Sequence, residues 1–201
     1  MSSKGILLVV SGPSGVGKGT VMRELFKKRD DLRFSISATT RSPRVGEEDG
    51  VHYHFISKQA FEKLKAEDGF LENAEFCDNS YGTLKSEVFP YLEKGISVIL
   101  EIEVQGALQV KKKYPDGVFL YIAPPSLSEL ARRLKERATE EEEVIEKRLN
   151  QAKWELTQVN EYDYIVVNDE VAAATDKIDA VITAEKLRCE RCIEIIEEVR
   201  I

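Results

Sequence analysis

The residues best suited to chemistry stand near the start of the chain. They are Gly12-Pro13-Ser14-Gly15-Val16-Gly17-Lys18-Gly19-Thr20, directly after the apolar run Ile6 to Val10. Glycines at this spacing let the main chain turn tightly around a phosphate and aim several N–H groups at it. A helix that begins behind them adds the positive end of its dipole, and Lys18 reaches toward the outer phosphates. One position departs from the usual pattern. Ser or Thr commonly follows the lysine and ligates Mg²⁺, whereas here Gly19 stands in that place and Thr20 comes next. Thr20 is therefore the metal-side candidate, directly or through water.

Further candidates follow along the chain. Arg41 and Arg44 flank Pro43, which stiffens a loop that carries two guanidinium groups, the natural fork for a phosphate dianion. Tyr53 and Tyr81 are phenols able to donate to the same phosphate. The apolar run Ile96 to Leu100 ends in Glu101-Ile102-Glu103, and a carboxylate delivered to the carboxyl edge of a sheet lies where α/β proteins bind ligands. Arg133 and Arg137 are spaced to share one helix face, with Arg148 on the next helix. His52 and His54 alternate on a strand-like piece without a third ligand. No Ser–His–Asp or Cys–His set accompanies these groups, so the chemistry indicated is positioning and charge stabilisation around phosphates.

These side chains need a rigid frame. Ile6 to Val10, Ile96 to Leu100, Val118 to Ile122 and Tyr164 to Val167 read as strands buried on both faces, with Phe34 to Ala38 a weaker fifth. Helical stretches fall between them, which predicts an α/β fold: a parallel sheet with helices on both sides, in three layers. Ser57 caps Lys58 to Glu67. Ser126 with Glu129 makes a capping box before Leu130 to Arg137, and Thr139 with Glu142 another before Val144 to Leu156. The acidic run Glu140 to Glu143 is then a first helical turn. From Arg41 to Lys94 short β-like pieces replace the strand–helix alternation, which predicts an inserted substrate lobe.

Composition narrows the partners. The chain has 201 residues, 42% hydrophobic and 32% charged, with a formal net charge of −7. That size suits one domain with inserted lobes, and that charge offers no global field for nucleic acid or anionic membrane. No apolar run approaches the roughly 20 residues of a membrane helix, and Met1-Ser2-Ser3-Lys4 shows no signal-peptide layout; the expected compartment is the cytoplasm. The three cysteines, Cys77, Cys189 and Cys192, form no disulfide framework. The C-x-x-C of Cys189 and Cys192 falls in a charged stretch, Lys186 to Val199, expected to be helical, where both are ordinary helix residues.

The segment Ser35 to Glu47, which contains Thr39-Thr40-Arg41-Ser42-Pro43-Arg44-Val45-Gly46-Glu47, resembles guanylate kinases, P-loop kinases of nucleoside monophosphates. Tyr53, Phe70-Leu71-Glu72, Tyr81-Gly82-Thr83 and Ile122-Ala123-Pro124-Pro125-Ser126 extend the resemblance from Gly5 to about Ala184. Gly-Lys-Gly-Thr is similar to the loop of adenylate kinases and of some bacterial guanylate kinases. Asn73, Ser80 and His52 depart from the common pattern.

The resemblance implies transfer of the γ-phosphoryl group from Mg·ATP to GMP, with dGMP an open second acceptor. It places Arg41, Arg44, Tyr53 and Tyr81 on the phosphate of GMP, and Glu72 on the guanine N1–H and 2-amino group. Ser37 and Thr83 complete the guanine contacts; Glu101 either joins them or faces the metal. Arg133, Arg137 and Arg148 match phosphate-facing lid arginines, and Asn168 a residue near the adenine. The implied division is a core of about 1–34, 96–126 and 157–201, a GMP-binding lobe of about 35–95 and a helical lid of about 127–156. Two other readings stay open: a related kinase with another acceptor, and a non-catalytic guanylate-kinase-like module that binds protein.

Overall fold

The structure is a computed structural model that describes residues 4–137 and 142–192; the side chain of Arg137 lies outside the described residues. From the N-terminus the elements are β1 (Leu7–Ser11), α1 (Lys18–Lys28), β2 (Leu32–Phe34), β3 (Ala38–Thr39), β4 (His54–Phe55) and α2 (Lys58–Ala66). There follow β5 (Phe70–Phe76), β6 (Asn79–Leu84), α3 (Phe89–Glu93), β7 (Ser97–Glu101), α4 (Val104–Lys113) and β8 (Val118–Ala123). The last are α5 (Leu127–Arg137), α6 (Glu142–Thr157), β9 (Tyr164–Val167) and α7 (Val171–Lys186).

Five strands make one parallel sheet in the order β2-β7-β1-β8-β9. The central strand β1 is buried throughout, and its side chains alternate between two cores. Leu8 and Val10 pack with α1, α5, α6 and α7 through Val21, Leu25, Leu130, Leu134, Ile145 and Ile178. Leu7 and Val9 pack on the other face with Leu71, Val88, Leu92, Ala107 and Val110. Both faces of β1, β7 and β8 are therefore covered, which is why these strands read as unbroken apolar runs rather than as alternation. The expectation is corrected for β9, an edge strand on which Ile165 and Val167 are exposed. Helices on both sides of the parallel sheet make the expected three-layer α/β fold, and the phosphate loop leaves β1 at the carboxyl edge of its centre.

A second sheet has the order β4-β3-β6-β5. β5 and β6 form a hairpin closed by Cys77 and Asp78, whose φ values of 48° and 61° give the twist that a two-residue hairpin turn needs. Here one expectation is corrected. Phe34 to Ala38 is not one strand: β2 ends at Phe34 in the large sheet, and β3 begins at Ala38 in the small one. The Ser35 N–H still bonds to Ile99 O, while Ser37 O already accepts from His54 N–H. The segment is the crossing between sheets, and hydrophobic periodicity does not say which partner a strand edge meets.

Helix starts follow their caps. Ser57 Oγ accepts from Ala60 N–H at 3.1 Å, and Ser126 Oγ from Glu129 N–H at 3.0 Å. The Ser126–Glu129 capping box is half formed, because the Glu129 carboxylate turns to Arg132 and Arg133, at 2.7 and 2.8 Å. Charged donors are stronger partners than a main-chain N–H. Thr139 and the acidic residues Glu140 and Glu141 lie outside the described residues. The expected helix from Lys186 onward is also corrected within the described residues. α7 ends at Lys186, Arg188 is extended, and Cys189–Arg191 form a short 3₁₀ turn. The bend lets Arg188 and Arg191 reach the buried Glu185 carboxylate, at 3.5 and 3.4 Å. Among the described residues no helix is long and apolar enough to cross a membrane.

Candidate active site

The phosphate loop is shaped by glycines that admit nothing larger. A Cβ at Gly12 would lie 2.2 Å from the Ile122 carbonyl oxygen. Gly17 caps α1 at φ 97°, in the left-handed region, and a Cβ there would meet Asn168 Nδ2 at 2.7 Å. Gly19 differs, with open space around it. Val16 N–H bonds to Pro13 O at 3.2 Å and Thr20 N–H to Gly17 O at 3.1 Å, so the loop runs into the first turn of α1. Lys18 Nζ rests on its own loop, donating to Gly12 O at 2.5 Å and Pro13 O at 3.3 Å. Burial pulls the Lys18 pKa below its ordinary value, against the opposing pull of Glu101, Glu155 and Glu103.

Pro13, Ser14, Gly15, Gly17, Lys18, Gly19, Thr20, Arg23 and Glu101 line one cleft. Glu101 reaches this cleft from the carboxyl end of β7. Its carboxylate is open to the cleft, yet enclosed enough that desolvation raises its pKa, with Lys18 pulling the other way. A second cleft adjoins it, lined by Gly15, Gly17, Thr20, Arg133, Glu136, Asn168, Asp169 and Val171. Asn168, 2% exposed, braces the loop from behind, its Nδ2 donating to Val16 O at 2.7 Å. Arg133 Nε holds Glu129, and its Nη1 donates to Asn168 O at 3.0 Å. Arg148 Nη1 lies 3.4 Å from Ser14 Oγ. α5 presses on the loop, since a Cβ at Gly15 would come within 2.7 Å of Leu134 Cδ2.

The other candidates gather on the small sheet. Glu72 lies on β5 beside Thr83 on β6, and Thr83 Oγ1 donates to Glu72 Oε1 at 2.7 Å. Glu72 is 6% exposed, and burial raises its pKa although the Thr83 hydroxyl and main chain pull it down. Ser37 directly precedes Ala38, which pairs with Gly82, so the ladder brings Ser37 beside Thr83. Nothing in the sequence reading singled out Gly106, where a Cβ would stand 3.1 Å from Glu72 Oε2. α4 follows directly from β7, so the strand that ends in Glu101 also delivers the helix that backs Glu72.

Arg41 is held on several sides. Its Nη1 and Nη2 donate to the two oxygens of Glu47 at 2.9 and 3.0 Å. Its guanidinium lies 5.4 Å from the Tyr53 ring centre and 5.7 Å from that of Phe55. The rings of Tyr53 and Tyr81 meet edge to face at 6.1 Å beside the same guanidinium. Arg44 joins through its main chain, its N–H donating to Glu47 Oε2 at 2.7 Å, while its side chain is exposed. Glu47 stood inside the motif quoted from the sequence, but nothing in one dimension showed that it grips Arg41. His52 and His54 are engaged separately: His52 Nδ1 accepts from Glu48 N–H at 3.1 Å, and His54 Nε2 lies 3.1 Å from Glu87.

The arrangement is a glycine-lined cleft that holds a lysine and is suited to phosphate, with a buried carboxylate, hydroxyls and a clamped arginine gathered on the small sheet. Comparison with known proteins agrees with it. The family model for guanylate kinase matches residues 4–185. A guanylate kinase of Carboxydothermus hydrogenoformans is 54% identical over 188 residues, 94% of this chain and 92% of its own. One of Desulfitobacterium hafniense is 52% identical over 187 residues, 93% of this chain and 94% of its own. Among solved structures, guanylate kinase from Anaplasma phagocytophilum superposes with a TM-score of 0.74 at 31% identity, covering 95% of this chain and 91% of that one. With that coverage, that identity and the same fold, the chain belongs to the guanylate kinase family, enzymes that transfer a phosphoryl group.

Proposed function

We propose that this enzyme transfers the γ-phosphoryl group of ATP to GMP in a single in-line displacement, giving ADP and GDP. The observation that carries the acceptor is Glu72, a carboxylate buried on a sheet and backed by Thr83. Guanine offers N1–H and the 2-amino group side by side, and one carboxylate accepts from both. Adenine lacks that pair and would leave the carboxylate unpaired in a buried place, a loss that discriminates by factors on the order of 10⁴.

The residues take these roles. Main-chain N–H groups of Gly12 to Thr20 cradle the donor phosphates, and Lys18 leaves its own loop carbonyls for the β- and γ-phosphates. Arg41, Arg44, Tyr53 and Tyr81 take the acceptor phosphate; Glu72, Ser37 and Thr83 take the guanine. Arg133, Arg137 and Arg148 neutralise the moving charge as the lid, about 127–156, closes with the acceptor lobe, about 35–95, over the core. Asn168 holds the loop near the adenosine side. Closure expels water, the competing acceptor. The attacking oxygen belongs to an ionised phosphate, so no general base is required. That is why the site is made of cations and N–H groups.

The cleft fits Mg²⁺, a hard cation that prefers oxygen ligands, since the Thr20 hydroxyl and the Glu101 carboxylate face it together. Thr20 would hold the ion directly or through water, with Glu101 close by, and the ion would offset phosphate charge. We place the reaction in purine nucleotide metabolism in the cytoplasm, with small nucleotides rather than nucleic acid or membrane as partners, in keeping with the net charge of −7.

The test is ADP formation as a function of both substrates. Saturation by GMP, with little ADP formed in its absence, is the expected result. ADP release indifferent to GMP would overturn the reading in favour of an ATPase or a kinase with another acceptor.

A further inference from the structure

The Arg41 guanidinium is gripped along one edge by a carboxylate, and both side chains are largely shielded from water. We propose that Glu47 is a positioning residue for the acceptor: it clamps one edge of the Arg41 guanidinium so that the other edge faces the phosphate of GMP. This rests on the reading that Arg41 binds that phosphate.

Guanidinium has five N–H donors in a fixed plane. Glu47 takes one from Nη1 at 2.9 Å and one from Nη2 at 3.0 Å, end-on. Ser42 O takes a second Nη1 hydrogen at 2.8 Å. What remains is the side edge, Nε–H with the second Nη2–H, two parallel donors that match two oxygens of one phosphate. The Tyr53 and Phe55 rings lie near the guanidinium, and the Tyr81 ring meets that of Tyr53 edge to face.

Glu47 is itself tethered. Its Oε2 accepts from the Arg44 N–H at 2.7 Å, and its own N–H donates to Arg44 O at 3.0 Å across a turn where Gly46 has φ 86°. The side chains of Arg41 and Glu47 are 15% and 19% exposed, so water competes little for the pair. Its bond to Arg41 keeps Glu47 ionised, with a pKa lowered to about 2, throughout the working pH range. A rival role has the same contacts. Glu47 could stand where the phosphate binds and be displaced by it, but the tether to Arg44 and the free side edge of Arg41 both speak against displacement.

The two roles have opposite signs in one experiment. KM for GMP, KM for ATP, kcat and thermal midpoint are measured for wild type, Glu47→Ala, Glu47→Gln, Arg41→Ala and the double variant Arg41→Ala/Glu47→Ala. Positioning predicts a KM for GMP about 10-fold higher in Glu47→Ala, with KM for ATP and the midpoint unchanged. Glu47→Gln recovers part of the loss, and Glu47→Ala adds nothing once Arg41 is gone, as coupled neighbours require. A KM for GMP that is unmoved or lower, or an equal loss in both backgrounds, overturns the proposal. Failure of the wild-type enzyme to use GMP would overturn the acceptor reading and this proposal with it. Failure of the proposal alone shows as a normal wild type with an indifferent Glu47→Ala.

Discussion

The cleft we assign to the donor and the pocket we assign to the acceptor are made of different material. Around the phosphate loop the groups that would bind are main-chain N–H groups, with Lys18 and Thr20 the side chains added to them. Glycines there are fixed by what a Cβ would strike, at Ile122 behind Gly12 and Asn168 behind Gly17. In the acceptor pocket the groups are side chains: Glu72, Thr83, Arg41, Tyr53 and Tyr81, from β5, β6 and the loop between β3 and β4. A main-chain cradle recognises any phosphate chain and is insensitive to the base. A pocket of side chains carries selectivity, and single substitutions can erase it. The first half should therefore fail in turnover and the second in affinity for one substrate.

The sharpest way to break this contrast begins with Lys18→Ala, which removes the cation folded onto the cradle. Turnover should fall by about 10²–10³-fold, on the scale of a lost electrostatic stabiliser, with KM for GMP little changed. A normal kcat in ADP formation would refute the phosphate-loop assignment.

Glu72→Gln should lower kcat/KM for GMP by about 10²-fold, the scale of a charged hydrogen bond lost in a buried site, and leave KM for ATP within about 2-fold. Its stability should not fall. Burial raises the folded pKa of Glu72, so the ionised form is the costly one, and stability linked to this group rises as pH drops through the folded pKa. The thermal midpoint of Glu72→Gln at neutral pH should equal or exceed that of wild type. A lower midpoint with equal losses for both substrates would mark a folding defect and remove the specificity argument.

The same shift gives a smaller effect on pH dependence. Protonation of Glu72 removes the acceptor for guanine, so kcat/KM for GMP should decline toward acid from a higher pH than an exposed glutamate would set. The phosphate of GMP has its own second ionisation near pH ~6. That limb persists in Glu72→Gln, whereas the Glu72 limb disappears. Identical pH profiles for the two enzymes would contradict the account.

The smallest effect belongs to the loop position with no structural demand. Gly19 has open space where a Cβ would stand and sits in the first turn of α1. Gly19→Ala should fold, gain up to about 1 kcal/mol from helix propensity and keep turnover within a few-fold. The contrast is Gly12→Ala, which must displace the Ile122 carbonyl. Equal damage from both would mean that the loop tolerates no side chain anywhere and that the Cβ contacts do not discriminate.

The same difference in material decided what could be read from the chain. The donor cradle is contiguous, nine residues from Gly12 to Thr20 between a strand and a helix, so spacing alone exposed it. Strands buried on both faces were visible as apolar runs for a related reason. The acceptor pocket depends on pairing. Glu72 meets Thr83 only through the β5–β6 hairpin register, which shifts between Phe70 and Glu72, and Ser37 joins through β3. Glu72, Ser37 and Thr83 entered through resemblance to a family, whereas Arg41, Arg44, Tyr53 and Tyr81 stood out as groups able to take a phosphate. Gly106 and the grip of Glu47 on Arg41 entered only with coordinates. Phe34 to Ala38 was misread because apolar character marks a strand without naming its sheet. The helix expected beyond Lys186 gives way to a turn that carries Arg191 to Asp116 O at 3.1 Å, a contact distant along the chain that no local pattern announces.

The most direct test of the central claim is the ratio of kcat/KM with GMP to that with AMP at saturating Mg·ATP, in wild type and in Glu72→Gln. The account predicts a ratio on the order of 10⁴ in the wild-type enzyme and its fall by about 10²-fold in the variant. Equal use of AMP and GMP by the wild type, or a ratio that survives in Glu72→Gln, would contradict it.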